Sequence, residues 1–94
     1  MERTDRRSQE SALTYRAELS DQALKQVYGL PERSFDSLIE SMADVTDYPD
    51  DPLRTFPTSD PYVRCTEFGQ AGLVTYLIDD GTNKVLVLDI IWAG

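Results

Sequence analysis

Few side chains in this 94-residue chain have types suited to chemistry, and histidine is not among them. Any mechanism that needs an imidazole base is therefore excluded. A single cysteine, Cys65, rules out an internal disulfide and, without histidine, a zinc finger. No base stands near Cys65 in sequence, which disfavours a thiol nucleophile. Arg64 alternates with Val63 and Cys65 and shares a face with Tyr62, Thr66 and Phe68. It reads either as a contact for a phosphate or a partner, or as an exposed arginine in a surface ion pair worth little. Arg54 follows Asp50 and Asp51, whose carboxylates are its simplest partners. Tyr76 is either a phenol able to relay a proton or an aromatic packed on its strand neighbours. Asp89 interrupts an apolar stretch, and a buried carboxylate needs a partner; Arg64 or Lys84, across an open sheet face, would supply one. Trp92 is either a lid on the core or a contact residue. The pair Asp79 and Asp80 is turn chemistry, and the glycines, scattered through turns and the terminus, form no phosphate-binding loop. No cofactor and no metal are expected.

Charge narrows the partners. The chain carries 17 acids and nine bases. Three of each lie in residues 1–11, which leaves 14 acids against six bases beyond them and places the whole net charge of −8 there. Such a surface repels phosphate backbones unless its few bases converge, so direct binding of free nucleic acid is disfavoured. No apolar run approaches the roughly 20 residues of a membrane helix, and no signal-peptide core follows the N-terminus. The lone thiol fits a reducing compartment, and the expected location is the cytoplasm.

The elements that must position these residues follow from periodicity. Residues 1–11 read as a flexible tail and residues 12–94 as one domain. Alternation of apolar and polar residues predicts a strand over 13–19. Ser20 and Asp21 then cap a short helix carrying Ala23, Leu24, Val27 and Tyr28 on one face, ended by Gly29 in a left-handed cap. A second helix is predicted over 32–45, with Phe35, Leu38, Ile39, Met42 and Ala43 as its buried stripe. Residues 46–61 carry four prolines and read as a long polar loop. Three strands follow at 62–68, 73–78 and 85–92, joined by glycine-bearing hairpin connections. The last is apolar on both faces apart from Asp89 and belongs in the middle of a sheet. The expected fold is therefore α+β, β-α-α-β-β-β, with a helical hairpin on a four-stranded, mostly antiparallel sheet. The first strand lies parallel to the last, and the spatial order is 2-3-4-1.

Three local motifs stand in that order. Tyr15-Arg-Ala-Glu-Leu-Ser-Asp-Gln-Ala opens the first strand and helix, and Asp60-Pro-Tyr62-Val-Arg64 follows the loop. Gly72-Leu-Val-Thr-Tyr76-Leu-Ile-Asp-Asp80 then leads to Val85-Leu-Val-Leu. Together, over residues 13–92, they resemble the RelE/ParE toxins of bacterial type II toxin–antitoxin systems. The resemblance implies a cognate antitoxin as partner, with a target protein or the ribosome as the other. RelE-type members cut mRNA without a metal, using clustered Lys, Arg and Tyr, often with His; ParE-type members lack that set and poison DNA gyrase. This sequence departs from the nuclease pattern. Leu73 stands where the nucleases often place arginine, three before Tyr76. No short tail follows the last strand, and the surface is acidic. The catalytic candidates that the resemblance leaves are Arg64, Tyr76 and Arg54, and the partner-binding candidates are Arg64, Tyr62 and Trp92. The expected function is a toxin acting mainly by binding. The alternatives are a non-toxic interaction module on the same fold and an mRNA interferase with a reduced catalytic set. That last reading requires Arg54, Arg64 and Lys84 or Lys25 to converge.

Overall fold

A computed structural model describes residues 14–93; the tail expected at residues 1–11, and Leu13, lie outside them. The alternating stretch forms β1 (Arg16–Leu19). Ser20 then starts helix α1 (Asp21–Val27). Its Oγ accepts the Ala23 N–H at 3.1 Å and donates to the Leu88 carbonyl at 3.2 Å, so one hydroxyl caps the helix and ties it to the sheet. Gly29 does not adopt the expected left-handed cap. The N–H groups of Gly29 and Leu30 instead close tightly on the Gln26 and Val27 carbonyls, each at 3.1 Å, before Pro31 redirects the chain. Positive φ falls at Gly69 (60°) and Asn83 (54°), in the two hairpin connections.

Helix α2 (Glu32–Asp47) runs two residues further than expected. It buries Leu38, Met42 and Val45, whereas Phe35, Ile39 and Ala43, expected on the buried stripe, are not buried. The apolar arc is wider than the contact, and Ser41 selects the part of it that meets the sheet, because its hydroxyl donates to the Glu67 carbonyl at 3.0 Å. Helix α1 shows the same economy: Ala23 is buried, and Leu24 and Tyr28 face outward.

The sheet has five strands rather than four, in the order β1-β5-β4-β3-β2. The expected order survives intact, with β1 parallel to β5 (Lys84–Trp92) and antiparallel pairing through β4 (Gly72–Asp79) and β3 (Val63–Phe68). The addition is β2 (Thr55–Pro57), an edge strand inside the region expected to be loop. Three residues ending in proline show no readable alternation. What makes them a strand is tertiary: they pair with Arg64, Cys65 and Thr66 of β3, and Thr66 Oγ1 donates to the Arg54 carbonyl at 3.0 Å, while the local bond from Thr55 Oγ1 to the Asp51 carbonyl at 2.7 Å steadies the turn before them.

Both helices cover one face of the sheet. Phe68, Val74, Tyr76, Ile78, Val85, Val87 and Ile90 form the core with Ala23, Leu38, Met42 and Val45. A register shift between Thr75 and Tyr76 leaves Thr75 opposite Asp89 and Tyr76 opposite Val87. This bulge changes the phase of β5, so that Val87 and then Ile90 both reach the core. It also decides the fate of Asp89. Neither Arg64 nor Lys84 answers it: its Oδ1 accepts from Gln22 Nε2 at 2.7 Å and Gln26 Nε2 at 2.8 Å. Lys84 pairs with Glu18 at 3.3 Å. Among the described residues no helix is long and apolar enough to cross a membrane.

Candidate functional site

Strand β3 places Arg64 opposite Tyr76 of β4. Alternation puts Arg64 on the core side with the buried Thr66 and Phe68, near the end of the sheet where the helical cover stops. Its guanidinium is half-buried and turned toward β2: Nε donates to Thr55 Oγ1 at 2.8 Å and Nη2 to the Thr55 carbonyl at 3.2 Å. Arg64 thus braces the edge strand.

Tyr76 is buried, and its hydroxyl donates to the Pro49 carbonyl at 2.6 Å. Burial pushes the phenol up to about 12, more than the nearby Arg64 charge and the Thr55 hydroxyl pull it down. A phenol so held is a structural donor, ill suited to exchanging protons with a substrate.

A cleft of 320 Å³ opens beside these two residues, lined by Arg64 and Tyr62 together with Tyr15, Asp50, Ile78 and Asp80, and closed by Pro49 and Pro61. The exposed Tyr62 is held through its backbone, with its N–H on Asp60 Oδ1 at 2.9 Å and its carbonyl accepting from Ile78 at 2.8 Å. Tyr15 donates to Asp80 Oδ1 at 2.5 Å. That bond, and then burial, raises the Tyr15 phenol above its ordinary value. The cleft therefore sets one arginine against two carboxylates, which suits a neutral or cationic group better than a phosphate. Tyr15, Asp50 and Asp80 were not singled out as site residues from sequence. Asp79 does perform turn chemistry, accepting the Thr82 N–H at 3.3 Å, and its neighbour Asp80 meets Tyr15 from 65 residues away.

The other candidates lie elsewhere. Arg54 pairs with Asp44 at 3.0 Å and more loosely with Asp51 at 4.0 Å, on a different groove from that of Arg64. Asp44, on α2, was not among its expected partners. Trp92 ends β5 beside a third cleft, with Arg33, Ser34, Ser37 and Gln70, and shares no wall with Arg64 or Tyr62. Cys65 is half-buried, its sulfur 3.4 Å from Thr75 Oγ1. Among the described residues no group of His, Cys, Asp and Glu is arranged to hold a metal ion.

This architecture has solved counterparts. The isolated E. coli RelE toxin is similar with a TM-score of 0.76 at 17% identity, over 85% of this chain and 85% of that one. The chain has the RelE toxin fold. The RelE fold recurs at a TM-score of 0.75 and 17% identity in the intact E. coli RelBE toxin–antitoxin complex, over 85% of this chain and 98% of that one. A RelBE toxin–antitoxin complex of Mycobacterium tuberculosis gives 0.73 at 18% identity, over 85% and 99%. The sequence matches no family model, and no curated protein matches it. On this RelE fold, Arg54, Arg64 and Lys84 are each engaged with a different partner, Asp44, Thr55 and Glu18 respectively.

Proposed function

We infer that this chain is the toxin component of a toxin–antitoxin pair, that it acts on its target by binding, and that an antitoxin protein neutralises it. The RelE fold supports the toxin reading, since the similar structures include toxins bound to their antitoxins. The observation that carries the choice of binding over RNA cleavage is the state of Arg64 and Tyr76. Cleaving RNA through its 2′-hydroxyl takes a base, an acid and a cation free to meet the phosphorane. Here the arginine bonds to Thr55 and the phenol bonds to a buried carbonyl. The remaining lining of the cleft adds carboxylates, and the net charge of −8 repels the RNA backbone.

Induced expression in a bacterial host, scored for growth with total RNA from the same culture, tests this reading. Growth arrest with intact mRNA is expected, and Arg64→Ala should leave the RNA pattern unchanged. Arrest with fragmented mRNA would return the chain to the nucleases. Normal growth would remove the toxin assignment in favour of an interaction module.

A further inference from the structure

The 320 Å³ cleft beside Arg64 keeps its charges apart. β1 runs beside β5 with Ala17 opposite the buried Val85, so Tyr15, two residues earlier, lies on the face of the sheet that carries the core. Asp80 follows the buried Ile78 by two residues and lies on the same face, where the Tyr15 hydroxyl reaches it across the end of β5. Tyr62 precedes Arg64 by two residues and joins them, its carbonyl bonded to the Ile78 N–H. Both bonds from the Arg64 guanidinium go to Thr55, which turns it toward β2 and away from the β1 side where Tyr15 meets Asp80. Asp50 enters from the segment that follows α2. After the Asp80 bond and burial, the charges of Asp80 and then Asp50 raise the Tyr15 phenol further, so both carboxylates act on the Tyr15 side of the cleft.

No cation of the chain answers those carboxylates. Among the described residues the ion pairs join Arg54 to Asp44 and Asp51, and Lys84 to Glu18; none uses Asp50 or Asp80. The Asp50 side chain accepts no hydrogen bond there either. Both stand beside a floor of buried Pro49 and Ile78, where an opposite charge is attracted more strongly than on open surface. Tyr62, 59% exposed, adds an aromatic wall at the mouth, and an aromatic face attracts a cation. A flat ring beside carboxylates favours a guanidinium over an ammonium. The planar fork stacks on the ring, bonds carboxylate oxygens in pairs and gives up its water more readily.

We propose that this cleft takes the guanidinium of an arginine side chain carried by a partner polypeptide. The guanidinium lies against Tyr62 and meets Asp50 and Asp80, and Arg64, held at Thr55, leaves the Tyr15 side as the seat for positive charge. An arginine within a polypeptide brings no carboxylate of its own. Free arginine does, and the net charge of −8 opposes that anion. The site gives a ligand chemistry to the binding reading and rests on it only in taking the source to be a protein. A titration reads it without reference to growth, so either reading can fail while the other stands.

The test is an amide NMR titration of the ¹⁵N-labelled full chain with Nα-acetyl-arginine amide. The comparison ligands are Nα-acetyl-citrulline amide, a neutral compound of nearly the same shape, Nα-acetyl-lysine amide and free arginine. The blocked arginine should shift the amides of Tyr15, Asp50, Tyr62 and Asp80 saturably, with a Kd of about 1 mM for so small a ligand. The citrulline compound should leave them still, and the lysine compound and free arginine should bind more weakly. Asp50→Asn should weaken binding about tenfold, the loss of one charged hydrogen bond. Its thermal unfolding should match that of the parent, because Asp50 is exposed. Tyr62→Leu should erase the preference for arginine over lysine. No saturable shift at these amides, an equal response to citrulline or to lysine, or shifts spread evenly over the acidic surface would each overturn the proposal. Tighter binding of free arginine would overturn it as well, by making the source a small molecule.

Discussion

Arg64 and Tyr76 show how little a residue's type says about its task. Both have functional groups suited to phosphate chemistry, yet the guanidinium holds the edge strand to Thr55, and the phenol anchors the turn at Pro49 to the core. The Tyr76 proton has a thermodynamic consequence. In the unfolded chain the phenol ionises near its ordinary value of 10.0, and in the fold only near about 12. The folded state therefore binds the proton more tightly, and this contribution to stability is complete below pH 10 and lost as pH rises toward 12. Denaturant unfolding followed by circular dichroism should show a steeper loss of stability across that window in the parent than in Tyr76→Phe. Equal slopes would mean that the phenol is not held as described. At neutral pH, Tyr76→Phe leaves the buried Pro49 carbonyl without its donor and should cost about 1–3 kcal/mol.

At the scale of elements, the instructive feature is the open edge of β5. β1 is only four residues long and ends at Leu19, opposite Val87. Beyond that point Gln26 of α1 serves in place of a strand: its Oε1 accepts the Ile90 N–H at 2.7 Å while its Nε2 donates to Asp89. One side chain thus docks the seven-residue helix α1, finishes the sheet edge and satisfies the carboxylate at the bulge. Gln26→Ala removes both hydrogen bonds, and the Ile90 N–H left without an acceptor makes it costlier than an ordinary surface substitution. A loss of about 2–3 kcal/mol is expected in urea unfolding, with Asp89→Asn milder because an amide oxygen still accepts a hydrogen bond. A Gln26→Ala protein as stable as the parent would show that α1 docks by Ala23 alone.

For the whole molecule, self-repulsion of charge opposes the packing. Net −8 on so small a chain makes the folded state repel itself, and among the described residues three ion pairs relieve it, all of them at least partly exposed. Screening should help the fold more than it weakens those pairs. Raising sodium chloride from about 20 mM to about 500 mM should therefore increase the thermal midpoint, read by calorimetry at constant pH. A falling midpoint would mean that the ion pairs carry more of the stability than the repulsion removes.

Local sequence patterns dictate the order of the two helices and of the four longer strands, the parallel placement of β1 beside β5 and the interior position of β5, between β1 and β4. Each rests on a local signal: period-two alternation, the Ser20 cap, glycine-bearing hairpins, and a strand apolar on both faces. Local signals failed where a residue's state depends on a distant partner. β2 is a strand because Thr66 and Arg64 reach it, and three residues ending in Pro57 have too short a pattern to announce that. The α2 contact stripe shifted to Leu38, Met42 and Val45 because the apolar arc exceeded the area the sheet offers. Asp89 found Gln22 and Gln26 because a bulge altered the phase of its strand. The sites followed the same division. Arg64 and Tyr62 could be placed together from the strand pattern expected over 62–68, although β3 itself begins at Val63, whereas separating them from Arg54 and Trp92, and bringing Tyr15 to Asp80, required the fold. Hydrogen bonds between side chains many residues apart are made by geometry that no window of sequence contains.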